Sequence, residues 1–154
     1  MSRRSEISAG ILAYRREPRF EILLAHPGDP YWQNKDDGAW SIPKGIVESD
    51  DLLACAKREF NEETGLRAKG PFDELRPLKQ KSGKVVHAFA IEADFDLSIF
   101  SSNEFEMEWP PHSGKQRSFP EIDRVAYFSL KTARRKIMAG QRQFIEELAT
   151  RLKI

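Results

Sequence analysis

The stretch "DLLACAKREFNEETGL", residues 51–66, constrains this chain more than any other. Leu52, Leu53, Ala56 and Phe60 recur at the spacing of one helix face, which must be buried in water. Asp50 or Asp51 can cap the first turn, and Gly65 is placed to stop the helix in a left-handed conformation after about Thr64. The same segment sets Glu59, Glu62 and Glu63 at i, i+3 and i+4, so three carboxylates project from neighbouring positions. Glu59 and Glu63 fall in the last turns, where the helix dipole disfavours negative charge. Clustered carboxylates raise each other's pKa values, and a hard divalent cation, which takes oxygen ligands, resolves the conflict. On the three glutamates alone, a solvated acidic face partly compensated by Lys57 and Arg58 is the competing reading.

The rest of the chain supplies what this helix can pack against. Residues 7–16 and 20–27 read as strands, joined by a turn in which Pro18 supports the reversal. A polar loop, residues 28–38, carries Tyr31 and Trp32. Residues 85–94 and 122–130 read as further strands, separated by an irregular segment. Two helices close the chain over about 131–139 and 141–152, the second with Phe144, Leu148 and Leu152 as a buried stripe. Strands on both sides of a central helix predict an α+β fold in which a mixed sheet is sandwiched between helices. The length, 154 residues, suits one domain spanning 1–154 with a single substantial core.

Charge and cysteine content exclude several classes of function. The formal net charge is +1, which does not suit a general polyanion binder or a membrane-surface protein, so no nucleic acid or membrane partner is expected. No apolar run approaches the length of a bilayer, and the arginine-rich start lacks the sustained apolar stretch of a signal peptide. The single cysteine, Cys55, forms neither an internal disulfide nor a zinc cluster, and a reducing cytoplasm is the expected compartment.

The acidic helix and the loop before it resemble the signature of the Nudix hydrolases, G-x5-E-x7-R-E-U-x-E-E-x-G-U with U apolar. Gly45, Arg58, Glu59, Phe60, Glu62, Glu63, Gly65 and Leu66 stand at its fixed positions, after "PKG". The half "REFNEETGL" matches throughout, whereas Arg58 follows Gly45 by 13 positions instead of the signature's 14. The acid between them is therefore Asp51 counted forward from Gly45, or Asp50 counted back from Arg58, each shorter than the glutamate that braces the arginine in the family.

The resemblance implies a Nudix-type α/β/α sandwich and Mg²⁺-dependent hydrolysis, with Mn²⁺ able to substitute, of a pyrophosphate bond in a small-molecule nucleotide. It implies Glu59 and Glu63 as direct metal ligands and Glu62 as a ligand directly or through water. The Lys44 backbone carbonyl is a further ligand candidate, and Arg58 orients Glu59. Water attacking an anionic phosphorus needs charge screening and a lowered pKa, which a divalent cation supplies without a covalent nucleophile.

Outside the signature, Glu121 stands six residues before Tyr127, and the resemblance implies a metal ligand or general base at that distance, with a surface turn acid as its plain alternative. Glu104, Glu106 and Glu108 alternate with Phe105, Met107 and Trp109, as on the outer face of a short strand. Lys44 and Lys84 are the phosphate-binding candidates, and Tyr31 and Trp32 the candidates for stacking on a base. Trp40 and Cys55 read as core, His87 as a strand residue with a satisfied imidazole, and residues 133–137 as a solvated helix face. "WSIPKG", "GKVVHAFAIEA" and "PEIDRVAYF" look most like the dinucleoside polyphosphate branch, with the segment 101–120 setting specificity. Non-standard nucleoside triphosphates, capped RNA and a non-hydrolytic nucleotide sensor on the same fold remain open alternatives.

Overall fold

Strand β1 (Ile7–Arg15) shows why the chain forms layers. Ala9, Ile11 and Ala13 pack into one buried cluster, while Leu12 and Tyr14 pack into another. A strand whose alternate residues both meet apolar cores must lie in the middle of a sandwich. The computed structural model of the chain describes residues 6–48 and 51–154, and β1 lies within its main sheet.

β1 runs parallel to β6 (Val85–Glu92) and antiparallel to β2 (Glu21–Pro27), which in turn pairs with β9 (Ile122–Ser129). The short strands β4 (Asp73–Glu74) and β5 (Leu78–Lys79) pair with β6. The sheet order is β4-β6-β1-β2-β9, with β3 (Lys44–Ile46) on β1. Helix α1 (Leu52–Thr64) covers one face through Cys55, Ala56 and Phe60. Helices α2 (Leu130–Lys136) and α3 (Arg142–Leu152) cover the other through Ala133, Phe144, Ile145 and Leu148. The expected mixed sheet between helices is the fold observed.

The functional end of the sheet is created where β1 and β2 separate. They pair at Tyr14·Ile22 and Arg15·Glu21, but further along the segment 41–46 is wedged between them. Ser41 exchanges backbone hydrogen bonds with Ala25 of β2, and Pro43 to Val47 bond to β1. The wedge thus projects Lys44 and Gly45 into a split in the sheet, under the C-terminal half of α1.

Helix α1 begins as its sequence dictates. The Asp51 side chain accepts a 2.7 Å hydrogen bond from the Ala54 N–H, and Gly65 ends the helix at φ 74°. Asp50, the alternative cap, lies outside the described residues.

Several expectations need correction. Helix α2 stops at Lys136, not near residue 139, because Ile137 turns extended and bridges to Trp40. A short 3-10 turn at Ala139–Gln141 then leads into α3. The segment read as irregular contains a hairpin of β7 (Glu104–Glu108) and β8 (Gln116–Pro120). Its β7 strand has the expected exposed glutamates, but the β8 sequence "QRSFP" lacks an apolar alternation that would betray it. Residues 133–137 are not simply solvated: Arg134 pairs with Glu146 at 2.8 Å, Arg135 with Asp37 and Lys136 with Asp36 and Asp37. Among the described residues, no helix is long and apolar enough to cross a membrane.

Because the Asp51 cap satisfies an otherwise orphaned N–H, Asp51→Ala is expected to cost about 1 kcal/mol of stability. Urea unfolding should show a lowered midpoint with an unchanged slope.

Candidate active site

Gly45 explains how the wedge and the helix meet. A Cβ at this position would fall inside the Glu59 carboxyl group, so only glycine lets Glu59 lie over β3. Arg58 holds that carboxylate from the other side, its Nη1 donating to Glu59 Oε1 at 2.9 Å and approaching Glu62 Oε2 at 3.7 Å. Asp51, one of the two acids aligned with the family's brace, is engaged in capping α1.

Glu63 lies one helical turn beyond Glu59 and is buried, with 8% exposure. Its Oε2 is buried without a hydrogen-bond partner, a costly state for a carboxyl oxygen. Burial first, then the charges of Glu59 and Glu121, push its pKa up to about 9, opposed by Lys44 through its charge and a backbone hydrogen bond. Glu121 is also raised, by burial and then by Glu59, Asp29 and Glu62.

Lys44 completes this surroundings through its main chain. Pro43 accepts from Ile11, and Val47 donates to Ile7, so the alternation of an antiparallel ladder puts Lys44, opposite Gly10, at a non-hydrogen-bonded position. Its N–H and C=O therefore point away from β1.

A cleft of about 290 Å³ is lined by Lys44, Gly45, Glu48, Glu59, Glu63, Asn103 and Glu121. Next to it, a cavity of about 380 Å³ shares Lys44, Glu63 and Glu121 and extends past Trp32, Ser41, Gln80 and Lys84. The fold thus brings Glu59, Glu63, Glu121, Lys44, Lys84 and Trp32 to two adjoining hollows.

Other candidates stand apart. Glu62 is half-exposed, lines neither hollow, and sits at the rim by Arg58. Tyr31 is 56% exposed and packs edge-on against Trp109 at 5.0 Å instead of lining the cavity. Lys84 Nζ lies 3.3 Å from Glu6, and Lys35 lies over the Trp32 ring. Trp40 and Cys55 are core residues. The His87 imidazole is not satisfied as expected: its Nδ1 is buried without a hydrogen bond, and Glu74 Oε1 lies 4.0 Å away.

Two buried polar residues that sequence reasoning passed over support the cavity walls. Gln141, fully buried, accepts from the Ile42 N–H at 3.0 Å and donates to Ser41 Oγ at 2.9 Å, fixing the wedge. His26, also fully buried, contacts Asp123 Oδ1 at 2.8 Å and the Lys35 carbonyl at 2.6 Å, anchoring the Trp32 loop. A polar residue inside an apolar strand was the only available sign of His26; Gln141 gave none, since it looked like a helix start.

The carboxylates fit a divalent cation. The orphaned Glu63 oxygen, the raised pKa values of Glu63 and Glu121 through burial and their acidic neighbours, and a main-chain carbonyl outside its ladder form an oxygen-rich, electron-rich surface. Among the described residues, no three His, Cys, Asp or Glu side chains converge as a finished ligand set. Carboxylates that repel one another have no reason to converge before a cation joins them.

Comparison with known proteins gives the family and agrees with the fold. The family model of the NUDIX domain matches residues 4–148. The chain belongs to the Nudix hydrolase family, enzymes that act on nucleoside diphosphate-linked substrates and generally use a divalent metal. Its fold is similar to the NUDIX domain of Shewanella oneidensis NrtR complexed with ADP ribose, at TM-score 0.70 and 14% identity over 98% of this chain and 90% of that one. It is similar to a C. elegans Ap4A hydrolase in a binary complex, at TM-score 0.65 and 19% identity over 95% and 98%. A MutT protein from Methanosarcina mazei Go1 gives TM-score 0.63 and 20% identity over 100% and 99%. No curated protein sequence gives a significant match.

The raised pKa of Glu63 has a definite sign in the metal-free protein. A carboxyl with a folded-state pKa near 9 and an unfolded value of 4.5 contributes stability below pH 4.5 that is lost as pH rises through 9. Thermal unfolding of metal-free protein should therefore show falling stability over that window, and Glu63→Gln should flatten the decline.

Proposed function

We propose that this protein hydrolyses a pyrophosphate bond in nucleoside diphosphate-linked small molecules, with Mg²⁺ as the working ion and dinucleoside polyphosphates as the favoured substrates. The observation that carries the reading is the buried Glu63 carboxyl, with its Oε2 unpartnered, facing Glu59 and Glu121 across one cleft. One Nudix domain spanning residues 1–154, acting in the cytoplasm, is part of the same reading.

Glu59, Glu63 and the Lys44 carbonyl would hold the ion, with Glu62 contributing from the rim. When bound, Mg²⁺ or Mn²⁺ supplies charge neutralisation at the phosphates and lowers the pKa of water. Arg58 fixes the Glu59 carboxylate through its 2.9 Å hydrogen bond and does not need to touch substrate. Glu121, raised by burial and then by its acidic neighbours, is shifted in the direction that suits it to accept the proton of the attacking water, since a base works best when its pKa approaches the working pH.

Lys44 and Lys84 line the larger cavity, where ammonium groups can follow a flexible polyphosphate. Trp32, half-buried in the same wall, offers an aromatic face to a base. Tyr31 is assigned a smaller role, because its ring is engaged with Trp109 outside that wall. The resemblance of "WSIPKG" and "PEIDRVAYF" to the dinucleoside polyphosphate branch, together with fold similarity to an Ap4A hydrolase, supports the substrate preference.

A panel of dinucleoside polyphosphates, nucleotide sugars, non-standard nucleoside triphosphates and capped RNA, each with and without Mg²⁺, tests the proposal. Turnover should require the ion and be fastest on a dinucleoside polyphosphate. Glu63→Gln should lower kcat by about 100-fold, the scale of losing a principal electrostatic contact at a reacting centre. Tight nucleotide binding without product in Mg²⁺ or Mn²⁺ would instead establish a sensor.

A further inference from the structure

Glu121 belongs to neither flanking strand: it lies between β8 and β9, where backbone position is set by what the peptide is bonded to. Its N–H donates to the Asn103 carbonyl at 2.9 Å, and its own carbonyl accepts from the Gly28 N–H at 3.0 Å. Asn103 in turn donates its N–H to the Glu62 carbonyl at 2.9 Å, and Ser101 donates to the Thr64 carbonyl at 2.9 Å. Those carbonyls belong to the last turn of α1, whose C=O groups have no partners within the helix. Residues 101–103 therefore form a strap that satisfies the helix end and carries Glu121 on its other edge.

The strap has one side chain that spans both edges. Ser102 Oγ accepts from the Ile122 N–H at 3.0 Å and donates to the Asn103 carbonyl at 2.8 Å. The Asn103·Glu121 bond continues the register of Glu104·Pro120 by one step. The following step, Ser102 opposite Ile122, is a non-hydrogen-bonded position of the antiparallel alternation, so no main-chain carbonyl of the strap serves the Ile122 N–H, and the Ser102 hydroxyl receives it instead. Ile122 is buried, so its N–H cannot simply turn to water.

The geometry points to Ser102 as a positioning residue that holds Glu121 at its working separation from the α1 carboxylates. This rests on the assignment of Glu121 as base or metal ligand. Ser102 touches neither substrate nor ion: it acts by locking the peptide on which Glu121 is mounted. Without the hydroxyl, Ile122 loses its acceptor, and Glu121 keeps only the Asn103 and Gly28 contacts, free to drift from the cleft. Threonine retains the hydroxyl and should retain the lock.

The test compares Ser102→Ala with Ser102→Thr by two readouts. In the metal-free protein, amide hydrogen exchange at Ile122 and Glu121 should accelerate about tenfold in S102A, the consequence of one lost buried hydrogen bond, while the β1–β6 ladder keeps wild-type protection. In the Mg²⁺-loaded enzyme, S102A should lose about tenfold in kcat with KM within twofold, and S102T should match wild type in both readouts. Unchanged exchange at Ile122 and Glu121 in S102A overturns the proposal, as does a loss in S102T equal to that in S102A. A rise in KM at constant kcat also overturns it. Glu121→Gln, measured alongside, separates the two claims: if that variant keeps wild-type kcat, the assignment of Glu121 fails, and the strap is then judged on the exchange data alone.

Discussion

A carboxyl group buried against other carboxyl groups is the constraint on which this site turns. Glu63 is withdrawn from water at the end of a helix whose dipole opposes its charge, and it faces Glu59 and Glu121 with one oxygen unpartnered. Nothing in packing alone accounts for that placement, because a leucine there would satisfy the core at less cost. The free energy lost in the metal-free protein becomes affinity once a cation supplies the missing charge.

The fold makes the placement by two local devices. The wedge of residues 41–46 opens the sheet between β1 and β2 and presents a main chain whose Lys44 carbonyl is outside the ladder. Gly45 then admits the Glu59 carboxyl into the space of an absent side chain. The buried amide of Gln141, reaching back from the start of α3, holds the wedge through Ile42 and Ser41. The helix carrying the acids and the wall that would receive a phosphate are thus braced from opposite faces of one sheet.

Much of this was legible in the residues, for identifiable reasons. The α1 boundaries followed from a capping aspartate and a stop glycine, and the sandwich followed from strands on both sides of a central helix with more helix at the chain end. The contacts of Glu121 were not legible, because they depend on backbone bonds between segments far apart in sequence. The β7–β8 hairpin was half visible, since β7 alternates and β8 does not. Tyr31 and Trp32 looked equivalent in a polar loop, but only the structure separates them: Trp32 reaches the core and the cavity, Tyr31 the outer Trp109. The His87 ring was read as satisfied from its strand position, yet strand pairing occupies only the main chain and guarantees nothing to the side chain.

The account is tested most directly at the Glu63 carboxyl carbon, followed by carbon NMR at pH 7 through a Mg²⁺ titration. With a pKa near 9 in the metal-free protein, that carbon should begin at the shift of a protonated acid and move to that of a carboxylate as one equivalent of ion is bound. A signal already at the carboxylate position and indifferent to Mg²⁺, or one that stays protonated at saturating ion, would contradict the claim that these glutamates are gathered to hold a cation.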